Sequence, residues 1–241
     1  MENNVWEQPC KIQPLHTDRN CKCTLAAISQ IFQDTAEEHT LNAGYDYFSL
    51  MKEGRAWVLS RVYYEILQCP RIYDCCRVRT WSRGVDGVFA LRDFEIYDAE
   101  NQVAVRGTTK WLIINVTTRH LVRDSNFVNV FPHCEKSAVV HELGKMLPHA
   151  GLQQVAEFEV PFSAIDKAQH VNNAVYLQWI VDNFLPEDFD RDIRSVEINY
   201  VRETKIGEKA VVKRFKEDGT YHFEIDNGSG VSVLGKIQMS E

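Results

Sequence analysis

The chain of 241 residues has no long hydrophobic run. Its longest apolar stretches, such as that from Trp111 to Ile114, fall far short of the roughly 20 residues a membrane-spanning helix needs. The first residues, Met1 to Glu7, contain neither the basic cluster nor the apolar segment of a secretory signal. No membrane association and a cytoplasmic location are therefore expected. Positive charge is also in short supply: 27 Lys and Arg stand against 34 Asp and Glu, a formal net charge of -7. Nucleic-acid phosphates are drawn by net or clustered positive charge, so no nucleic-acid partner is expected, and any acidic partner must meet a local basic patch. The seven cysteines include no Cys-x-x-Cys pair, and their number is odd. That excludes a simple disulfide framework and the common zinc spacings. Cys21 and Cys23 near His16 lack a fourth ligand, so reduced thiols, no metal and no cofactor are expected.

What is present is material for real cores, with 44% hydrophobic and 11% aromatic residues. Residues 24–39 place Leu25, Ile28, Ile31, Phe32 and Thr35 at helical spacing, and 172–184 do the same with Val175, Tyr176, Trp179, Ile180 and Phe184. Each helix is followed by segments rich in β-branched and aromatic residues and separated by turn formers. These predict strands at 57–66, 75–81, 88–97 and 103–116, then at 196–200, 210–215, 221–225 and 231–239, with a further one at 157–162 before the second helix.

The halves also match in detail. Val103, Val105 and Gly107 fall on Val231, Val233 and Gly235 at an offset of 128. Val62, Ile72 and Val78 fall on Val196, Ile206 and Val212 at 134, and Asp18, Ile31 and Asp34 on Asp166, Trp179 and Asp182 at 148. One order of elements with a drifting offset is the mark of a duplicated unit with shorter loops in its second copy. A helix followed by antiparallel strands buries its apolar face when the sheet curls around it. The expected fold is thus α+β, two tandem hot-dog folds, each an antiparallel sheet wrapped around a long central helix. The first is placed at 1–131 and the second at 151–241, with 132–150, containing Pro132 and Pro148, as the linker.

Chemistry concentrates where the chain enters the second helix. Asp166 and His170 flank a polar turn, and Asn172 or Asn173 is suited to the N-cap. Backbone N–H groups at a helix start are donors without helical partners and favour a developing oxyanion. Thioester hydrolysis needs such donors together with a base or a nucleophile. For a carboxylate and an imidazole before a helix, the plain alternative is that they bond only their own turn.

The run His170-Val171-Asn172-Asn173, with Tyr176 and Trp179 following, resembles the motif of hot-dog thioesterases, above all the acyl-[acyl carrier protein] thioesterase family of bacteria and plant plastids. The segments at 44–66, 78–84, 90–98 and 108–123 resemble that family's first hot dog, and 198–208 its catalytic Glu segment, so the likeness runs from about residue 10 to 240. It implies hydrolysis of fatty acyl thioesters on acyl carrier protein to free fatty acid and holo carrier. It implies catalytic positions at Asp166, His170 and Glu203, with Asn172, Asn173 and Thr204 at the substrate and the helix start. Two residues depart from the pattern: Ala168 stands where the family has Asn, and Thr204 where it often has Cys. At the repeat offsets His170 corresponds to Lys22 and Glu203 to Cys69, so one site per chain is expected, with the first copy supplying acyl-pocket surface. Arg77, Arg79 and Arg83 alternate along one strand as a candidate basic stripe for an acidic carrier. An acyl-CoA thioesterase and a non-catalytic acyl-binding protein are the alternatives, and a monomer and a homodimer both remain open.

Overall fold

The structure, a computed structural model, describes residues 4–123 and 131–240. The chain divides into two compact units, one of Met1–Cys23 and Gln30–Leu143, the other of Thr24–Ser29 and Gly144–Glu241.

In the first unit β1 (Trp6–Lys11), α1 (Leu25–Asn42, of which 25–29 fall in the second unit), α2 (Tyr47–Lys52), β2 (Arg55–Ile66), β3 (Cys75–Asp86), β4 (Phe89–Tyr97) and β5 (Val103–Asn115) follow in chain order. The strands form an antiparallel sheet in the order β1-β3-β4-β5-β2. In the second unit β6 (Gln153–Glu159), α3 (Asn173–Val181), β7 (Ile193–Tyr200), β8 (Lys209–Glu217), β9 (Thr220–Asp226) and β10 (Val231–Met239) form the sheet β6-β8-β9-β10-β7, also antiparallel. The two orders are the same, strand for strand, and each unit is a hot-dog fold.

Each sheet packs on its helix through one repeated arrangement. On β5, Gly107 lies opposite Tyr64 of β2 and Phe94 of β4. On β10, Gly235 lies opposite Ile198 of β7 and Phe223 of β9. A Cβ at Gly107 would run into the Tyr64 ring, and one at Gly235 would press on Ile198 and on Ile180 of the helix. Phe32 of α1 fills the first space, its ring 5.1 Å from that of Tyr64 and 4.7 Å from that of Phe94. Ile180 of α3 fills the second, its Cδ1 3.2 Å from where a Cβ on Gly235 would sit. Trp179 meets Phe158 of β6 edge-on at 4.9 Å.

The elements depart from sequence expectation at several ends. The strand expected at 157–162 is β6, which stops at Glu159 because Pro161 has no N–H to continue a ladder; a 3-10 turn at Phe162–Ala164 follows. The helix expected to reach Phe184 ends at Val181. β3 continues past Trp81 to Asp86 through a bulge between Ser82 and Gly84, where Gly84 takes φ +90°. Two elements have no counterpart in the expectation: edge strand β1, whose exposed positions alternate with half-buried ones and which accommodates Pro9, and the six-residue α2, capped by the Asp46 side chain on the Phe48 and Ser49 N–H groups.

Between β5 and β6 the described residues form no helix or strand. Phe131, Ala138, Val139 and Leu143 are nevertheless buried, and Trp81 Nε1 donates to the Lys136 carbonyl at 2.8 Å. None of the seven cysteines is in a disulfide. No helix among the described residues is long and apolar enough to cross a membrane.

Candidate functional site

The turn before α3 is built by its own backbone. The Asp166 N–H donates to the His170 carbonyl at 2.9 Å and the Gln169 N–H to the Asp166 carbonyl at 3.0 Å, while Gln169 takes φ +66°. The Asp166 carboxylate accepts the Ala168 N–H at 2.8 Å. Asp166 thus closes the turn, and the chain emerges at Asn172 with its β-region dihedrals and its side chain accepting the Ala174 N–H at 2.9 Å. Asn172 is the N-cap and Asn173 the first helical residue; the Asn173 carbonyl accepts the Tyr200 hydroxyl at 2.9 Å. A capped start aims the first N–H groups of α3 and their partial positive charge past the turn.

A second loop, between β7 and β8, is stitched to this one. The Val171 N–H donates to the Thr204 carbonyl at 2.9 Å, and the Val160 N–H to the Glu208 carbonyl at 2.9 Å. Those bonds set Glu203 beside His170, whose Nε2 lies 3.0 Å from Glu203 Oε2, with both side chains partly open to solvent. Thr204 is buried and its hydroxyl donates to Ser232 Oγ of β10 at 2.9 Å. Of the residues singled out in the sequence, His170 and Glu203 therefore meet through side chains. Asp166 and Asn172 work on backbone, and Thr204 faces the sheet.

Two further residues hold the loop, and neither carries a local sequence signal beyond an Asn-Gly turn. Buried Asn227 donates through Nδ2 to the Glu203 carbonyl at 3.1 Å and to Glu208 Oε2 at 3.3 Å. Ser232 is the acceptor for Thr204, and its own carbonyl accepts the Val201 N–H at 2.8 Å. Tyr176, in the first turn of α3, is buried beside Thr204, and burial pushes its phenol up to about 12.

The first unit carries the same turn with different side chains. The Asp18 N–H donates to the Lys22 carbonyl at 2.9 Å, Cys21 takes φ +59°, and the Cys23 N–H donates to the Pro70 carbonyl at 2.8 Å. Each of these falls on its second-unit counterpart at an offset of 148 before the helix and 134 after it. Lys22 and Cys69 thereby occupy the places of His170 and Glu203, and the Cys69 thiol is turned to the Cys23 carbonyl at 3.4 Å. Asn20 occupies the place of Ala168, its N–H on Asp18 Oδ1 at 2.8 Å. The amide missing from the second turn is present in the first.

The expected basic stripe is largely neutralised. Arg77 and Arg79 share the Glu7 carboxylate, and Arg83 lies 3.4 Å from Asp93.

Residues 3–126 match the family model of the acyl-ACP thioesterase N-terminal domain, and residues 149–238 that of the C-terminal domain. Among curated proteins, oleoyl-acyl carrier protein thioesterase 2 (chloroplastic) of Arabidopsis thaliana is 27% identical over 203 residues, 76% of this chain and 55% of that protein. The acyl-[acyl-carrier-protein] hydrolase FATB2 (chloroplastic) of Cuphea viscosissima is 26% identical over 216 residues, 83% of this chain and 52% of the other. The chain spans about half the length of these curated relatives. Among solved structures, an acyl-ACP thioesterase from Bacteroides thetaiotaomicron VPI-5482 superposes with a TM-score of 0.91 at 25% identity, covering 99% of both chains. The 12:0-ACP thioesterase of Umbellularia californica shares the fold, with a TM-score of 0.86 at 19% identity over 100% of this chain and 98% of the other. With two hot-dog units that match the family's two domains in order and nearly throughout, the chain belongs to the acyl-ACP thioesterase family.

Proposed function

We propose that the protein hydrolyses fatty acyl thioesters of acyl carrier protein, releasing free fatty acid and the carrier's thiol, at one site in the second unit. The observation that carries this reading is the His170–Glu203 pair at 3.0 Å beside the capped start of α3. In this mechanism a water loses a proton to the pair as its oxygen bonds to the thioester carbonyl carbon. The carbonyl oxygen becomes negative and is held at the start of α3 by the Asn173 N–H, while the Asn172 N–H is committed to the Ala164 carbonyl at 2.9 Å and Asn172 serves as the cap. The carbon–sulfur bond then breaks, and the proton passes to the leaving thiolate. Asp166 is a positioning residue that closes the turn, and Thr204 anchors the Glu203 loop on Ser232.

Under this reading 151–241 carries the chemistry, 132–150 is the link, and 1–131 supplies acyl-pocket surface around a degenerate site. Lys22 and Cys69, which stand in for His170 and Glu203, support that division. We place the protein in the cytoplasm, a reducing compartment that suits seven free cysteines; the curated relatives are named chloroplastic, so fractionation is the check. We assign it no nucleic-acid or membrane partner, and sedimentation distinguishes monomer from homodimer.

The test is release of fatty acid from matched carrier-protein and CoA thioesters, read by mass spectrometry. Preference for the carrier substrate supports the proposal, and preference for CoA reassigns the thiol carrier. Binding of acyl carrier protein without release would favour an acyl-binding protein, the reading that Ala168 motivates.

A further inference from the structure

Among its described residues the first unit buries two cations, and they are treated differently. Lys110, 8% exposed, lies 2.7 Å from Asp86 Oδ2. Arg92 of β4, 7% exposed, has no carboxylate partner among the described residues. One nitrogen, Nη1, donates to His39 Nδ1 at 3.0 Å and to Thr80 Oγ1 at 3.2 Å. Both acceptors are neutral: burial, reinforced by the Arg92 charge, brings the His39 imidazole down to about 4. The neighbouring carboxylate, Asp93, is committed to Arg83 and to the Ala138 N–H.

A buried guanidinium without a counter-charge is costly, and breaking a buried pair typically loses several kcal/mol. Here the cost is only softened, by the Phe131 ring 5.2 Å from the guanidinium carbon. The surroundings are aromatic. Trp6 stacks on His39 at 5.8 Å, and the Phe131 ring lies 5.1 Å from His39 and 6.1 Å from Tyr45. Trp6, His39 and Tyr45 are only half-buried, so solvent reaches the rim of the cluster.

We propose that Arg92 is the anion-binding centre of a ligand site for an organic carboxylate. The Nε and Nη2 edge of the guanidinium, with no acceptor among the described residues, presents two parallel N–H groups, the fork that matches the two oxygens of a carboxylate. The aromatic rim suits a ligand whose body is flat or apolar. Phosphate fits less well, because only this one edge is open to it and the rings offer it no further donors. The site goes beyond thioester hydrolysis and does not depend on it.

The test uses the full chain, labelled with ¹⁵N-arginine, and follows the Arg92 Nε–H resonance by NMR while benzoate, hexanoate, benzyl alcohol or sodium chloride is added. The expected result is a saturable shift with either carboxylate and none with the alcohol or at matched chloride. A stronger response to hexanoate points to a fatty acid as the natural ligand, and a stronger response to benzoate to an aromatic acid. Arg92→Met should weaken binding by about tenfold or more, the loss expected for charge-assisted hydrogen bonds. Should Arg92→Met fail to fold, Thr80→Val identifies the Arg92 resonance and the wild-type titration decides. Absence of a saturable shift, an equal shift with chloride, or full binding by Arg92→Met would overturn the proposal.

Discussion

The Thr204 carbonyl accepts the Val171 N–H at 2.9 Å, joining the residue after Glu203 to the residue after His170. Because this bond is between backbones, the two side chains are brought together by strand-like pairing of their loops and do not depend on attraction to each other. The Cys23–Pro70 bond of the first unit repeats it with different side chains on either side. The frame is therefore separable from the chemistry, and substitutions at His170 or Glu203 should leave it standing.

On that basis His170→Ala should fold normally and lose about two or more orders of magnitude in turnover, the usual contribution of a general acid or base. Glu203→Gln should lose a comparable amount while keeping a polar group 3.0 Å from the imidazole. Steady-state hydrolysis of a loaded carrier protein, with circular dichroism as the fold control, checks both. Near-normal turnover in either would remove that residue from the mechanism.

Lys22→Ala and Cys69→Ala, at the corresponding places in the first unit, should change the rate of the chemical step by less than about threefold, within the range of ordinary context effects. Their consequences belong in stability or chain-length preference. A fall in single-turnover rate like that of His170→Ala would move the site to the first unit.

The duplicated fold was legible in the sequence because its signals are periodic and local: Gly107 and Gly235, Val62 and Val196, Asp18 and Asp166 recur at offsets that survive comparison with the hydrogen bonds. The turn at 166–170 could likewise be recognised from its own residues. Asn227 could not, because the loop it holds is 24 residues away in the chain. Nor could β1, where Pro9 and alternating charge obscure a strand that only an edge position permits. Arg92 reads as one charge in a mixed strand, and its burial follows from the sheet's curl over α1.

Gly107→Ala should destabilise more than Gly235→Ala. A Cβ at Gly107 would lie 2.5 Å from Tyr64 Cδ1 and 3.0 Å from the Tyr63 carbonyl oxygen, and the Tyr64 ring is fully buried with nowhere to turn. At Gly235 the nearest atoms are the Cδ1 methyls of Ile198 and Ile180, at 3.1 and 3.2 Å, which can rotate aside. Overpacking of the first kind costs about 1–3 kcal/mol. Urea denaturation should show the larger fall in midpoint for Gly107→Ala at unchanged slope; equal midpoints would mean that the Tyr64 ring yields.

Acid should weaken the first unit through His39. Burial first, and the Arg92 charge second, lower its imidazole from the ordinary 6.5 to about 4. Between those values the unfolded chain binds a proton that the folded chain does not, so this contribution to stability is present above pH 6.5 and falls away as the pH drops toward 4. His39→Gln, which retains an acceptor for Arg92, should flatten the loss of stability across that window in denaturant titrations. An unchanged slope would place the acid sensitivity in other groups.

The sharpest prediction concerns Ala168. Its N–H is bonded to Asp166 Oδ1 at 2.8 Å, and its side chain is exposed on the turn that leads to His170. The first unit holds Asn20 in the same turn, with the same bond at 2.8 Å, so this backbone already accepts asparagine without rearrangement. If the family's amide at this position orients the water or the thioester carbonyl, the native protein works without one of its groups, and loss of such a donor typically costs about 10²- to 10³-fold. Ala168→Asn should then raise the single-turnover rate constant at saturating enzyme by more than it changes apparent affinity, since the added contact forms mainly in the transition state. Thermal stability should stay within about 0.5 kcal/mol of the native protein, as for other exposed substitutions. A rate unchanged by the asparagine would mean that Gln169, Thr204 or an ordered water already fills the role. Absence of turnover in both forms would leave a protein that binds acyl chains without cleaving them.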